Sequence, residues 1–528
     1  MADDRTPQRS DSATSSATLT STSVDPTAAL AGRSNFDALD PRTPILVGVG
    51  EAHRPADGSG AVEALELMIE AARAAADDAG APGMLAVLDV VAVPEGTWSY
   101  ADAARLVADR IGATSAATIR ADVGVPQTQP LAVAIERIGA GEIDAALVVG
   151  GEAMASARAA QRSGAEVVAT SDVGAEADQR WSPDGEIMAQ AEVDAGLWAP
   201  VEQYACIENA LGHAEGQPFD EQCNDIAELW ADCNRVAAAN PAAAFGAPMD
   251  ADTIRDASPS NRALASPYNK WHVSQWAVDQ AAALLLCSVG AARRAGVPED
   301  RWVFPHACVD SSHMVSLSRR GDLHRWPAMA TVGDAVAAHI GRPLREVEVQ
   351  EIYSCFPVAV RVQQRELDLD PCAPVTITGG MAFAGGPLNN FAYQATVEVA
   401  RRLRERPGAL GMVTVVSGLL TKPGITVWGA VPPNDVLVAD VGDEAAARTR
   451  VLEVTGGTDG SADGPAVVAT ATAAYVDGTP ASAFVIADLP DGRRWVGTCD
   501  DGDFAARTAR RETIATSVVI SGGTCHPG

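Results

Sequence analysis

The segment best suited to chemistry is glycine-rich and lies between a short run of β-favouring residues and a helix. Residues 375–378 favour a strand, residues 379–390 contain two glycine pairs and a proline, and residues 391–404 carry apolar side chains on one helical face. Glycine pairs permit positive φ or a close approach of the backbone to another group. A helix capped by Asn389 or Asn390 would complete a possible phosphate cradle. A tight turn between packed elements is the alternative.

A second set of reactive side chains lies in residues 305–313. His306, Cys308 and Asp310 alternate along a predicted strand, and His313 follows them. Imidazole, thiolate and carboxylate groups are metal ligands. Their alternation, however, favours a row of side chains that faces solvent or a cleft, so we predict no metal site.

Composition limits the classes of function. With 528 residues the chain is expected to form two or three units, and 47% hydrophobic residues suffice for a large core. The formal net charge of −30 argues against sequence-independent nucleic-acid binding and against binding to acidic membrane surfaces. A locally basic pocket for a phosphorylated ligand remains compatible with that charge.

Cysteine usage and the N-terminal segment indicate a cytoplasmic location. The nine cysteines are scattered without a Cys-x-x-Cys motif, which predicts reduced and mostly buried thiols. Residues 1–41 are rich in Ser, Thr, Asp and Ala, so we predict a disordered tail and no signal peptide. The apolar run at 281–287 is far shorter than a membrane span.

From residue 42 onward the pattern predicts an α/β fold. Apolar strands are predicted at 43–50, 85–94, 116–121 and 145–149, and they alternate with helices at 61–79, 102–111 and 131–138. Strands that are apolar throughout predict a parallel sheet covered on both faces. Residues 155–266 lose this regularity and are predicted to be an irregular insertion with short helical pieces.

The alternation then returns and reveals an internal repeat. The regular pattern resumes at 278–287, strands are predicted at 302–309 and 412–416, and residues 347–356 are predicted to run from a strand into a loop. Helices are predicted at 290–295, 331–340, 359–367 and 391–404. Residues 131–151 and 391–418 both run from helix through a turn to an apolar strand ending in glycine. We therefore predict a duplicated α/β fold, with halves at 42–154 and 267–432 and a ligand cleft between them.

The last part of the chain has a different character. Residues 433–528 show strand-like alternation at 435–441, 448–453, 466–475, 483–486 and 494–497, divided by turns rich in Gly and Asp. This pattern predicts a small separate all-β domain of barrel type.

A duplicated α/β unit with a long insertion resembles the thiolase superfamily of acetyl-CoA acetyltransferases. The resemblance covers residues 43–432, and its clearest motifs lie at 266–271, 278–286, 351–356, 379–387 and 416–418. The Tyr-Ser-Cys-Phe sequence at 353–356 and the appended β domain resemble thiolase-like proteins with an additional C-terminal domain. The implied fold class is a duplicated α/β/α/β/α core with a small C-terminal all-β domain.

The catalytic positions of that family are substituted here. A thiolase has a nucleophilic cysteine at a helix N-terminus in its first half, where the thiol pKa is lowered. The matching positions hold Pro126 and Gln127, and no cysteine precedes Cys206. The histidine of the Gly-His-Pro motif maps onto Gly386, and the acid/base cysteine maps onto Val416. The resemblance therefore implies that ordinary thiolase chemistry is lost.

Of the family's four motifs, only the one at 353–356 keeps reactive side chains, so Tyr353 and Cys355 are the candidate catalytic residues. Their alternative roles are a core phenol and a small buried thiol. The resemblance assigns substrate contacts to Gly385, Gly386, Gly418 and His272. Lys270, Arg319 and Arg320 are possible contacts for the phosphates of CoA, although surface salt bridges are the favoured role.

Three functions remain open. The leading hypothesis is an acyl-CoA-binding, thiolase-like protein without ordinary thiolase activity, with a CoA thioester as ligand and no tightly bound cofactor. The second is a retro-aldol lyase that acts on a CoA thioester with a steroid or lipid side chain and uses Tyr353 as acid or base. The third is a non-enzymatic CoA-binding or scaffolding module. A monomer or a homodimer fits each of them.

Overall fold

The computed structural model describes residues 36–59, 61–166, 169–456 and 460–528. The chain divides into two units, Met1–Ala38 and Leu39–Gly528. In the first unit only Phe36–Ala38 is described, as one turn of 3₁₀-helix, and most of the predicted disordered tail lies outside the described residues. Among the helices that are described, none is long and apolar enough to cross a membrane.

The second unit contains the following helices and strands in chain order. The first half comprises β1 (Pro44–Arg54), α1 (Ala64–Asp78), β2 (Val90–Pro94), α2 (Ala103–Ile111), β3 (Ala117–Ala121), α3 (Gln129–Ala140), β4 (Ala145–Ala153) and α4 (Met154–Ser163). The inserted region comprises β5 (Gln179–Trp181), α5 (Gln190–Asp194), α6 (Pro200–Ala214), α7 (Phe219–Ala239), α8 (Ala251–Arg255), β6 (Ala263–Ala265) and β7 (Tyr268–Asn269). Next come β8 (Asp279–Ser288), α9 (Val289–Ala295), β9 (Phe304–Asp310), α10 (Pro327–Ile340), β10 (Val349–Glu351), α11 (Pro357–Glu366), α12 (Phe391–Glu405), β11 (Leu410–Ser417), β12 (Lys422–Gly429), β13 (Leu437–Asp440) and α13 (Gly442–Arg448). The chain ends with β14 (Val454–Thr455), β15 (Gly464–Val476), β16 (Thr479–Asp488), β17 (Arg494–Cys499), α14 (Gly502–Thr508), β18 (Ser517–Ser521) and β19 (Thr524–Pro527).

The first sheet has six strands in the order β1-β8-β4-β2-β3-β5. Strands β2, β3 and β4 run parallel, as predicted, but β8 is antiparallel to both β1 and β4. The sheet is therefore mixed, and the prediction of a purely parallel sheet was wrong. Strand β8, which the sequence pattern placed in the second half, completes the first sheet. A strand covered on both faces is apolar throughout whichever way it runs, so its sequence carries no sign of its direction.

The second sheet has five strands in the order β10-β11-β12-β9-β13. Strand β13, which was predicted as part of the C-terminal domain, lies parallel to β9 at the edge of this sheet. Residues 375–378 do not form the predicted strand. The carboxylate of Glu351 accepts hydrogen bonds from the backbone of Ile377 and Thr378, which occupies donors that a sheet would need.

The inserted region is more regular than its sequence predicted. Helices α6 and α7 make up a large part of it, and α6 is buried along most of its length. Its residues share one hydrophobic core with the second half, through side chains such as Tyr204, Trp230 and Phe356. The insertion therefore belongs to the body of the molecule.

The C-terminal strands form a closed barrel, which confirms the predicted fold class. Strand pairs β15-β16, β16-β17, β17-β19, β19-β18 and β18-β15 close the ring. Strands β18 and β19 were not predicted, and residues 448–453 are not a strand. The amide of Asn209 in the insertion donates to the carbonyl of Ala471 in β15. The barrel is thereby joined to the inserted region through buried hydrogen bonds.

Candidate active site

Gln127 connects the two halves at the centre of the molecule. It lies just before α3 and is buried, and its Oε1 accepts a hydrogen bond from the backbone N–H of Ala392 in the first turn of α12 at 3.1 Å. The Gln127 carbonyl accepts from the Tyr393 hydroxyl at 3.0 Å. Asn390, the residue predicted to cap α12, makes no capping hydrogen bond through its side chain. The helix in the second half is therefore capped by a side chain from the first half.

Tyr353 and Cys355 lie beside this junction and are both buried. Gln127 Nε2 donates to the Tyr353 hydroxyl at 3.3 Å, and the Tyr204 hydroxyl of α6 donates to the Cys355 sulfur. Burial raises the pKa of Tyr353, and it raises the pKa of Cys355 to about 12. Both groups are thus protonated at neutral pH, so they are suited to donating hydrogen bonds or protons and unsuited to nucleophilic attack.

At Gly386, the position that matches the histidine of the thiolase family, a neighbouring side chain fills the space where a side chain would lie. A Cβ built on Gly386 would overlap Ser274 Oγ and would lie 3.2 Å from Met381 Cε. The Gly386 N–H donates to the Gln275 carbonyl at 3.0 Å, so the two segments are also joined through their backbones. At Gly385, φ is +112° and an added Cβ would overlap the Gln280 amide. Gly385 is therefore required by its backbone conformation, whereas at Gly386 the Ser274 hydroxyl would have to move to admit a side chain.

A strained turn follows β11, next to Val416, the position that matches the acid/base cysteine of the family. Val416 is buried at the end of the strand, and Gly418, Leu419 and Leu420 all have positive φ, at +62°, +57° and +60°. Two consecutive leucines in this region are unusual and indicate a turn over-determined by its surroundings. The Thr421 hydroxyl donates to the Gly418 carbonyl at 2.6 Å and helps to hold the turn.

The remaining predicted contacts have varied environments. His272 is buried, and its Nδ1 accepts from the Asn269 N–H, while burial lowers its pKa to about 3. The Lys270 ammonium lies 4.4 Å from the centre of the Trp271 ring. Arg319 is exposed, but Arg320 is buried, so the surface salt bridge favoured for Arg320 was wrong. Instead it donates to two backbone carbonyls.

The predicted row at 306–310 does not gather into a metal site. His306 Nε2 lies 2.9 Å from the Val431 carbonyl, and the Cys308 thiol is buried against the Thr128 carbonyl at 3.5 Å. Over the described residues, no three His, Cys, Asp or Glu side chains come together in a way that would hold a metal ion.

A polar group that the sequence did not reveal lies behind the start of α3. The Thr128 hydroxyl donates to Asp310 Oδ2 at 2.7 Å, and burial raises the pKa of Asp310 to about 6. Lys422 is buried nearby, and burial lowers its pKa. Asp310 and Lys422 line a cavity of about 380 Å³. Positions 128, 310 and 422 are far apart in sequence, so no local motif marks the group.

Replacing Asp310 by asparagine should stabilise the protein above pH 6. A carboxyl pKa raised from about 4 to about 6 means that the folded state binds the proton more tightly, so wild-type stability falls as pH rises through that window. Asparagine does not ionise, so the stability of the variant does not fall over this pH range, and its amide oxygen still accepts from the Thr128 hydroxyl. At pH 7.5 urea unfolding should show a gain of about 1–3 kcal/mol that disappears near pH 4.

The exposed Asp184 lines the same cavity and provides a matched control. Asp184→Asn should change the free energy of unfolding by less than about 0.5 kcal/mol at either pH. Equal stability of Asp310→Asn and wild type at pH 7.5 would contradict the raised pKa of Asp310.

A second, larger cavity lies against the glycine-rich segment (residues 375–390). It has a volume of about 520 Å³ and is lined by the end of α7, by Gln280, by part of the glycine-rich segment and by one face of α12. Three arginines at this cavity each pair with a carboxylate: Arg235 with Asp232, Arg401 with Glu51, and Arg402 with Glu398. The charges of its lining are therefore balanced.

Comparison with known proteins gives matches at the level of structure. No family profile and no curated protein matches the sequence. The monomeric SCP2-thiolase-like protein type 1 from Mycobacterium smegmatis is similar with a TM-score of 0.78 and 27% identity, over 93% of this chain and 100% of that one. An Ltp2-ChsH2(DUF35) aldolase has a TM-score of 0.56 and 19% identity, over 74% and 98%. The dimeric peroxisomal thiolase of Saccharomyces cerevisiae has a TM-score of 0.53 and 14% identity, over 75% and 99%.

These matches agree with the architecture derived above. The first match covers a larger share of the chain than residues 42–432 make up, so it extends into the C-terminal region that contains the barrel. The chain therefore has the fold of the thiolase superfamily, extended by a C-terminal β-barrel.

Proposed function

We propose that this protein binds an acyl-CoA thioester and does not carry out thiolase chemistry through an acyl-cysteine. The thiolase-like fold supports the choice of ligand, because an acetyl-CoA acetyltransferase is among the proteins that share it. The 520 Å³ cavity beside the glycine-rich segment offers space for a ligand. Tyr353 does not line it, but the ring of Phe391, which does, lies 5.6 Å from the Tyr353 ring. Tyr353 and Cys355 are the proposed hydrogen-bond donors to the bound thioester.

The observation that carries this proposal is that a neighbouring side chain fills the space at Gly386, the position that matches the family's histidine. An active site that had lost only a side chain would keep an open space for it. Here Ser274 Oγ occupies the space next to Gly386, and Gln127 serves as a helix cap at the position that matches the nucleophile. Four positions, 127, 274, 386 and 416, would have to change together for acyl-cysteine chemistry to return.

Titration of the purified protein with CoA and a series of acyl-CoAs tests the proposal. We expect saturable heat of binding by calorimetry and no thiolysis of a 3-ketoacyl-CoA. Gly386→His should remain inactive and lose about 1–3 kcal/mol of stability because its side chain overlaps Ser274. Gly386→His with Ser274→Gly, the matched control, should recover part of that loss.

Two results would contradict the proposal. Thiolysis by the wild-type protein would show that another group replaces the missing cysteine. Absence of binding to CoA and to every acyl-CoA would favour a scaffolding role instead.

A retro-aldol lyase is the second candidate, and the similarity to the Ltp2-ChsH2(DUF35) aldolase favours it. In such a reaction a base removes the proton of the β-hydroxyl, the Cα–Cβ bond breaks to give a carbonyl product, and the enolate of the thioester is protonated. Tyr353 keeps its proton because burial raises its pKa, so it fits the step that stabilises or protonates the enolate and not the step that needs a base.

Incubation with a β-hydroxyacyl-CoA distinguishes the two candidates. Release of a ketone or aldehyde together with a shortened acyl-CoA, reduced at least about tenfold in Tyr353→Phe, would establish the lyase. Binding without any product would leave the first proposal in place.

A further inference from the structure

Arg320 is a buried guanidinium that forms no ion pair with a carboxylate among the described residues. Its side chain is 5% exposed, and none of the ion pairs within 4.0 Å in the described part of the chain includes it. Nε donates to the Val315 carbonyl at 3.3 Å and Nη2 to the Leu419 carbonyl at 2.7 Å, whereas Nη1 has no hydrogen-bond partner. The buried carboxylate of Glu192 acts on Arg320 electrostatically but forms no ion pair with it. Nη1 is therefore a buried donor left without an acceptor, which is costly, so this position is suited to receiving an anion.

A small cavity lies beside this guanidinium. Arg320, His313, Leu420 and Arg450 contribute to its lining, and its volume is about 30 Å³. That volume holds about two or three water molecules, the size of a carboxylate or phosphate group. His313 Nε2 is a second buried nitrogen without a hydrogen-bond partner. Two unpartnered nitrogens thus belong to residues that line one cavity.

The other charges at the cavity do not cancel that of Arg320. Arg325 is held by both carboxylate oxygens of Glu366, at 2.7 and 2.9 Å. The one carboxylate in the lining, Asp322, lies 3.7 Å from Arg450. With those pairs formed, Arg320 is the one arginine of the lining without an ion pair to a described residue. The buried carboxylate that acts on it, Glu192, lies outside the lining and accepts hydrogen bonds from the N–H groups of Ala189 and Ser318.

We propose that this cavity binds the phosphate group of a ligand, with Arg320 Nη1 and His313 Nε2 as donors. Free inorganic phosphate and the phosphates of CoA carry the same chemistry, and only the second source rests on the proposed function. Because Arg320 also holds the Leu419 carbonyl, bound phosphate would stabilise the strained turn that follows β11.

Thermal unfolding with and without inorganic phosphate tests the site, with sodium chloride at equal ionic strength as the reference. Ligand binding to the folded state raises Tm by mass action. We expect a phosphate-dependent rise in wild type and in Arg319→Gln, the matched control at the exposed neighbouring arginine. In Arg320→Gln the rise should be lost, and in His313→Ala the affinity should fall at least about tenfold.

The half-buried His313 keeps the test decisive if Arg320→Gln does not fold. No phosphate-dependent rise in wild type, or an unchanged rise in either variant, would overturn the inference.

Calorimetry with CoA then identifies the source of the phosphate. CoA affinity reduced at least about tenfold by Arg320→Gln or by His313→Ala assigns the site to a phosphate of CoA, whereas unchanged affinity with a lost phosphate response assigns it to free phosphate. Failure of CoA to bind wild type would remove the proposed function while the phosphate result stands.

Discussion

Replacing Glu351 by alanine should lower the free energy of unfolding by about 3–5 kcal/mol and loosen the glycine-rich segment. The Glu351 carboxylate is fully buried at the end of β10. Its Oε2 accepts from the backbone N–H of Ile377 at 2.7 Å and of Thr378 at 3.0 Å, and its Oε1 accepts from the hydroxyls of Thr376 and Thr378. Alanine would leave these buried donors without an acceptor.

The effect should extend to the glycines through Thr376. The Thr376 hydroxyl accepts from the N–H groups of Gly379 and Gly380, at 2.9 and 3.0 Å, so its own proton is directed to Glu351. Loss of the carboxylate therefore releases the first glycine pair as well. Hydrogen exchange at Gly379 and Gly380 should accelerate in the variant by more than at positions in the barrel.

Two further variants calibrate this prediction. Glu351→Gln keeps the shape but only one acceptor oxygen, so it should cost about 1–3 kcal/mol. Glu348→Ala, three residues earlier, removes an exposed pair with Arg342 and an exposed hydrogen bond from the Leu410 N–H, and should cost about 1 kcal/mol or less. If Glu351→Ala were no more destabilising than Glu348→Ala in urea unfolding, the segment would be held by other contacts.

The glycine-rich segment illustrates what sequence patterns can and cannot predict. The helix from residue 391 was predicted because its apolar face repeats every three to four residues, and that signal is local. The prediction of a strand at 375–378 was wrong. Although these residues favour β structure, a buried carboxylate accepts hydrogen bonds from their backbone N–H groups. The carboxylate belongs to Glu351, 26 residues from Ile377, so the sequence pattern of the segment itself does not indicate it.

The same limit applies to the candidate site. The loss of cysteine and histidine was evident from residue types alone, but the new roles of those positions were not. Gln127 caps a helix 265 residues further along the chain, and Ser274 fills the space beside Gly386. Arg320 was expected at the surface because arginine usually is, and only the fold places it in the interior. Roles that depend on long-range contacts cannot be predicted from spacing.

Replacing Arg361 by methionine should cost about 3–5 kcal/mol and disturb the Tyr204–Cys355 contact. Arg361 in α11 pairs with Glu208 in α6, and both side chains are buried. Glu208 also accepts from the Tyr268 hydroxyl at 2.8 Å and from the Gln222 amide at 3.0 Å. Without the guanidinium these neutral donors remain, and the buried carboxylate has lost its cation.

The Arg361–Glu208 ion pair matters for the candidate site because it joins α6 and α11, the two helices that position Tyr204 and Phe356. Helix α6 holds Tyr204, and α11 begins directly after Phe356, whose ring stacks on Tyr204 at 4.2 Å. A shift of α6 away from α11 would therefore separate the Tyr204 hydroxyl from the Cys355 sulfur. We expect the near-ultraviolet circular dichroism of the variant to change even where it remains folded.

A double-mutant cycle separates loss of the pair from exposure of a lone charge. Glu208→Gln with Arg361→Met should recover about 2–3 kcal/mol relative to Arg361→Met alone, because no charge is left buried. Arg365→Met, one turn along the same helix, removes a half-exposed pair with Glu215 and should cost about 1 kcal/mol or less. Failure of the double variant to recover stability would mean that packing of the arginine stem dominates.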